Sequence, residues 1–228
     1  NLGIALWATG KPEEAVKEYK RALQLNPEHA DAHNNLGFVF AEQGISAGAI
    51  FHYKEALKIK PDYVKARLNL VMLLSNERKY KEAKFELNKG IEKDPMNTVL
   101  IFQLARILEI EGNQGEAITE YEKLLSINPE YPEAINNLAI LYSGRHENDK
   151  ALSLLEKMLE IQPNNPEIYY NIACIYAKQD KRAESFRWLE QSIEKGFNDW
   201  DLIRRDPDLA SIRNTPEISD IIKNHPFE

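Results

Sequence analysis

Six amide side chains recur along the chain at one spacing. Asn1, Asn35, Asn69, Gln103, Asn137 and Asn171 stand 34 residues apart, and two of them close the asparagine pairs of "AHNNLG" and "AINNLA". A primary amide offers both a donor and an acceptor, so each can pair with a peptide bond whatever side chain that peptide carries. Other residues able to do chemistry are sparse. His29 and His33 lie four residues apart beside Glu28 and Asp31, the start of a surface metal site but short of convergent ligands. Cys174 has no histidine near it in sequence to activate it and reads better as a small packed residue. "GNQGEA" lacks the lysine and the spacing of a phosphate loop. The carboxylates are spread as on solvated helix faces. These residue types point to binding: no catalytic residue, metal or cofactor is expected.

The elements that position the amides announce themselves by the same period. Prolines stand at Pro27, Pro61, Pro95, Pro129 and Pro163, and alanines at Ala15, Ala49, Ala83, Ala117 and Ala151. Leucines follow suit at Leu2, Leu36, Leu70, Leu104 and Leu138, with Ile172 next. Three coincident ladders mark an internal repeat. Proline lacks an N–H and disfavours helix in the residue before it, so it belongs between repeats. Gly10, Gly44 and Gly112, with "SNERK" and "SGRHEND" elsewhere, mark a turn inside each repeat. The spacing predicts two antiparallel helices per repeat, near 30–43 and 46–59 in the second. No stretch alternates like a strand.

With each repeat numbered so that its proline is position 32, position 8 is small in Gly3, Gly37, Ala105, Ala139 and Ala173. Position 20 carries the alanines, and position 24 carries Tyr19, Tyr53, Leu87, Tyr121, Leu155 and Leu189. Small residues let helix backbones approach, and large ones fill the space around them. This pattern resembles the tetratricopeptide repeat over about residues 1–196. The resemblance implies an all-α fold, a right-handed α-solenoid of antiparallel helix pairs in six repeats. Val71 at position 8, Gly90 at position 27 and Ser185 at position 20 depart from the pattern. The sixth repeat also lacks its proline. Solenoid ends expose an apolar face, so residues 197–228 read as a C-terminal helical cap. That segment carries Trp200, Leu202, Ile203, Leu209, Ile212, Ile218, Ile221 and Ile222, and it is similar to closing segments of bacterial proteins of this family. A start at "NLGIAL", without methionine and inside a helical pattern, leads to the expectation of a truncated first repeat and a longer parent protein.

In that family the first helix of each repeat lines a concave groove, and position 6 projects into it. The resemblance therefore implies that Asn35, Asn69, Gln103, Asn137 and Asn171 hold an extended peptide by its backbone. The arrangement resembles the asparagine ladder of the O-linked N-acetylglucosamine transferase repeat domain. Contacts between neighbouring helices are the alternative role for these amides. Position 5 supplies Asn34, Leu68, Phe102, Asn136 and Tyr170, and position 9 supplies Ile4, Phe38, Met72, Arg106, Ile140 and Cys174, with Trp7 at position 12. These positions share a helix face with the amides. Apolar and aromatic residues there suggest a binding surface, unless tight curvature buries them. The family's two-carboxylate clamp wants lysine at position 5 and asparagine at position 9, and neither occurs in any repeat.

Composition sets outer limits. Apolar residues make up 43% and charged residues 29%, the balance of a soluble globular protein. A net charge of −7 argues against nucleic acid as a partner. A single cysteine excludes an internal disulfide framework, and the apolar runs are too short to insert through a bilayer. The expected function is a protein-interaction module that takes a peptide or protein segment. The alternatives are a substrate-recognition domain of a larger enzyme, such as a glycosyltransferase, and a self-associating scaffold in which one copy holds another.

Overall fold

The computed structural model describes residues 3, 6, 7, 9–213, 215, 216 and 218. They divide into two compact units, residues 1–127 and 128–228. In the first, α1 (Pro12–Leu25) precedes three helix pairs. These are α2 (Ala30–Glu42) with α3 (Ser46–Ile59), α4 (Val64–Asn76) with α5 (Tyr80–Lys93), and α6 (Thr98–Ile110) with α7 (Gln114–Ile127). The second unit pairs α8 (Pro132–Gly144) with α9 (Asn148–Ile161) and α10 (Pro166–Lys178) with α11 (Arg182–Glu194). A short α12 (Trp200–Arg205) and a 3-10 turn (Pro207–Leu209) follow. No strand occurs among the described residues. Within each unit successive helices pack on one another. The first helices of neighbouring repeats also touch, α2 with α4, α4 with α6, and α8 with α10. Stacked antiparallel pairs of this kind are the architecture of an α-solenoid.

The repeat ladders account for where helices stop. Lys60 and Gln162, each just before a proline, leave the helical region with φ of −129° and −131°. The turn within each repeat is made by one residue in the left-handed conformation. Gly10, Gly44 and Gly112 sit there at φ of 75°, 74° and 79°, but Arg78, His146 and Asp180 adopt it too, at 57°, 63° and 55°. Glycine therefore marked only half of a turn that keeps the same geometry in every repeat.

Packing inside a pair follows the small-against-large rule. A Cβ on Gly37 would lie 2.9 Å from the Tyr53 ring, and one on Gly3 would lie 2.5 Å from Tyr19. Where position 8 is the bulkier Val71, position 24 is Leu87 rather than tyrosine. The position-20 alanines Ala15, Ala49, Ala83, Ala117 and Ala151 are fully buried. Ser185 fits the same slot because its hydroxyl donates to the Ala173 carbonyl at 2.8 Å. Gly37→Leu should overpack the α2–α3 crossing and cost about 1–3 kcal/mol. An unchanged urea midpoint for that variant would sink the register.

A second periodic contact was not anticipated from the sequence. Position 4 reaches back six residues to the carbonyl of the preceding inter-repeat proline. His33 Nε2 donates to the Pro27 oxygen at 3.1 Å, Arg67 Nη2 to Pro61 at 2.6 Å, and Tyr169 Oη to Pro163 at 2.8 Å. Arg67 also donates through Nη1 to the Glu86 carbonyl at 2.8 Å and to Glu86 Oε2 at 3.2 Å. Because a carbonyl can only accept, His33 carries its proton on Nε2. Its Nδ1 is then free to accept from His52 Nδ1, 2.9 Å away. Burial first, then His33 and Lys20, hold His52 down at about 4, against a weaker opposing pull from Glu55. The sign follows. The unfolded chain takes up this proton near the ordinary 6.5 and the folded one only near 4, so stability falls as pH drops through that window. About 1–3 kcal/mol should be lost, and His52→Gln should flatten the difference between denaturation midpoints at pH 7 and pH 4.5. A slope unchanged by the substitution would show that this pair does not carry the effect.

Candidate functional site

The asparagine pairs have a structural reason to be pairs. In the first unit Asn69 Nδ2 donates to Asn34 Oδ1 at 3.0 Å, and in the second Asn171 Nδ2 donates to Asn136 Oδ1 at 2.7 Å. The first asparagine of "NN" thus receives the position-6 asparagine of the next repeat and ties two first helices together. Asn34 also donates to Asn35 Oδ1 at 3.2 Å. Each of these inter-repeat bonds uses one N–H of the donor. An amide has two N–H groups and an acceptor oxygen, so Asn69 and Asn171 retain capacity beyond the lock. Asn35, Asn69, Gln103, Asn137 and Asn171 are all half-buried on the first-helix face.

The other residues expected on that face split by burial. Asn34, Phe102, Tyr170 and Cys174 are buried, while Leu68, Phe38 and Asn136 are half-buried. Phe102 packs against Tyr121 with ring centroids 5.9 Å apart, and Phe38 meets Trp7 edge-to-face at 5.5 Å. What remains presented is mostly position 9: Met72 is 55% exposed, Ile140 is 51% exposed, and Arg106 is exposed between them in sequence. Position 5 therefore builds the wall and position 9 offers the surface. Asn1, Leu2 and Ile4 lie outside the described residues.

In the second unit the residues from Phe197 onward make this face one wall of a cavity. Phe197 stacks on Tyr170 with centroids 4.4 Å apart, and the Tyr170 hydroxyl donates to Asp206 Oδ2 at 2.7 Å. The Cys174 thiol points to the same oxygen at 3.7 Å, and Ser211 donates to the Ala177 carbonyl at 2.7 Å. Between α8, α10 and this segment lies an open cavity of about 580 Å³, lined among others by Asn136, Ile140, Asn171 and Leu202. Of the apolar residues read as the cap, Ile203, Leu209, Ile212 and Ile218 are buried and Trp200 is partly buried. Leu202 is 41% exposed and forms cavity wall instead. Ile221 and Ile222 lie outside the described residues.

Charge in the cavity is lopsided. Glu167, Asp199, Asp206 and Asp208 line it with one cation, Lys178, which pairs with Asp208 at 3.5 Å. The donors to the Asp206 carboxylate are neutral: the Tyr170 hydroxyl, the Cys174 thiol and the Asp208 backbone N–H. Burial first and the Asp206 charge second push the Cys174 thiol up, so it is held as an unreactive thiol. Burial likewise raises the Tyr170 phenol. No group of three His, Cys, Asp or Glu side chains converges as a metal site among the described residues. No helix among them is long and apolar enough to cross a membrane. The aspartates of the closing segment were invisible to sequence reasoning, because they lie outside the repeat that defined the groove positions.

Four models of the tetratricopeptide repeat match the chain. One, described as a TPR repeat, covers residues 1–44 and 105–144, and the others cover 41–107, 133–162 and 154–185. No curated protein sequence matches. Among solved structures, MamA is 25% identical with a TM-score of 0.63, covering 70% of this chain and 94% of its own. A tetratricopeptide repeat protein from Parabacteroides merdae is 18% identical with a TM-score of 0.70, covering 99% and 91%. YrrB, described as a TPR protein with an unusual peptide-binding site, is 21% identical with a TM-score of 0.63, covering 78% and 92%.

Proposed function

Because the chain belongs to the tetratricopeptide-repeat family, a scaffold for protein interaction, we propose that its first-helix face holds an extended segment of a partner protein. The observation that carries this reading is the 580 Å³ cavity of the second unit. It sets a half-exposed Ile140 beside the amides of Asn136 and Asn171, so apolar contact and backbone pairing are offered together. In the first unit Met72 and Arg106 stand in the same register beside Asn69 and Gln103. The ladder then has two duties, locking neighbouring repeats and offering its remaining N–H and oxygen to a peptide. The peptide-binding site described for YrrB supports a peptide as ligand class at the level of the shared fold. The excess of carboxylates at the closing segment favours a segment bearing a lysine or arginine beside an aliphatic residue.

The test begins with a peptide array probed by the whole chain, followed by affinity measurements on the best binders. Changing Asn35, Asn69, Asn137 and Asn171 together to alanine removes one or two hydrogen bonds each. At about 0.5–1.5 kcal/mol net per bond, affinity should fall by well over tenfold, and alike for ligands of different sequence. Loss of the Asn69 and Asn171 locks should also lower stability, by about 1–3 kcal/mol in all. Ile140→Ala and Met72→Ala should leave the melt alone and discriminate among ligands. Intact affinity in the quadruple variant would return these asparagines to the lock alone.

A further inference from the structure

A second cavity, on the first unit, has the opposite charge and lies away from the amide face. It has a volume of about 570 Å³ and is bounded by α3, α5 and the start of α4. Lys54 and Lys58 line it from α3, and Lys89 and Lys93 from α5. Each pair is spaced four residues apart and so shares one helix face. The Arg67 guanidinium belongs to the same wall and is only 4% exposed. Opposed to these five cations are Glu86 and Glu92. Like charges four apart on a helix destabilise it, and here two such pairs share one cavity in a chain of net charge −7.

Ordinary explanations account for part of this. Lys58 and Lys93 lie in the last turns of their helices, where a cation complements the helix dipole. Lys58 also pairs with Glu55 at 3.6 Å, and Lys89 with Glu86 at 3.8 Å. Lys54 lies a turn earlier, however, and neither it nor Lys93 makes an ion pair among the described residues. Arg67 also has a donor to spare. Its three bonds use Nη1 twice and Nη2 once, which leaves one Nη2–H of a buried guanidinium without an acceptor among the described residues, while Nε packs against Gly90. A buried cation with a donor to spare, flanked by lysines from two helices, is what an anion site needs.

We propose that this cavity binds a compact small-molecule oxyanion carrying two or more phosphate or carboxylate groups. Its volume lies within the range of small-ligand pockets, roughly 300–1,000 Å³. Lys54 and Lys93 supply mobile charge from the two helix walls, and Arg67 supplies fixed positive charge and one spare N–H. The site is independent of any peptide held on the first-helix face.

Calorimetric titration of the whole chain at low ionic strength tests it, with pyrophosphate in one arm and citrate in the other. Binding in the sub-millimolar range is expected for at least one, weakening tenfold or more in 0.3 M sodium chloride. Response to pyrophosphate alone would identify a phosphoryl site, to citrate alone a carboxylate site, and either result supports the proposal. Lys54→Gln with Lys93→Gln should weaken binding tenfold or more, while Lys150→Gln, in the second unit, should leave it unchanged. Absence of binding by both anions at millimolar concentration would overturn the site. So would an equal loss in the Lys150 variant, which would reveal unspecific screening.

Discussion

Arg67→Ala should destabilise the first unit by about 3–5 kcal/mol, the effect of breaking a buried ion pair from one side. The guanidinium serves the Glu86 carbonyl, the Glu86 carboxylate and the Pro61 carbonyl at once. Alanine leaves both carbonyls without this donor and a carboxylate on a residue 8% exposed, with Lys89 at 3.8 Å the one remaining ion-pair partner among the described residues. Lysine in the same place should recover little, because a single ammonium on a flexible stem cannot meet three acceptors in a planar fork. The double variant Arg67→Met with Glu86→Leu should recover most of the loss, since it removes the charge together with its partner. Urea titrations of the three variants provide the check. A loss below about 1 kcal/mol for Arg67→Ala would mean that water already satisfies these groups.

The same guanidinium explains Gly90. A Cβ at that position would lie 2.6 Å from Arg67 Cδ and 2.7 Å from its Nε, and 2.6 Å from Leu100 Cδ1. Glycine within a helix ordinarily costs up to about 1 kcal/mol relative to alanine, and Gly90 lies in the last turn of α5. Here that cost is accepted because the alternative displaces a buried charge. Gly90→Ala should therefore destabilise the native protein and become much less harmful in the Arg67→Ala background. The departure visible in the sequence and the buried pair are one feature.

How far the sequence could be read depended on whether a contact repeats. Ala49, Ala83 and Ala117 sit at crossings that recur every 34 residues, so period alone located them and the helices Ala30–Glu42 and Ser46–Ile59. Burial on the first-helix face does not repeat. Met72 and Ile140 are exposed at position 9, but Cys174 at the same position is buried because the closing segment sets Asp206 against it. Tyr170 looked like a groove aromatic and is instead the platform for Phe197. The position-4 bonds had a readable signal, a proline followed six residues later by His33, Arg67 or Tyr169. Ile101 and Ile135 hold that position in the other repeats, which kept the pattern from standing out. The lock between asparagines was hidden differently. It joins position 5 to position 6 of the next repeat, and only Asn34 and Asn136 supply its first half.

Ending the chain after Gly196 should have the largest effect of any change considered, and it should fall on the second unit. The deletion removes Phe197, Ile203, Leu209, Ile212 and Ile218, all buried against α10 and α11. At roughly 1.5–3 kcal/mol for each fully buried large apolar side chain, the gross loss is comparable to the whole stability of a small domain. It also strips the segment's contacts from Tyr170, Cys174 and Ala177 on α10. Within the second unit, where each helix pair leans on its neighbour, the damage should be greatest at α10 and α11. Hydrogen exchange resolves this directly. Amides of α10 and α11 should lose protection by orders of magnitude, those of α2 to α5 should keep theirs, and the truncated chain should associate as concentration rises. Phe197→Ala, which removes only the ring stacked on Tyr170, should cost about 3–5 kcal/mol and open the same helices to a lesser degree. Because the cavity's acidic wall is lost with the segment, ligands with a basic residue should suffer most among any that still bind. A truncated protein that stays monomeric with α10 and α11 fully protected would show that residues 197–228 are an appendage and not the closing element of the stack.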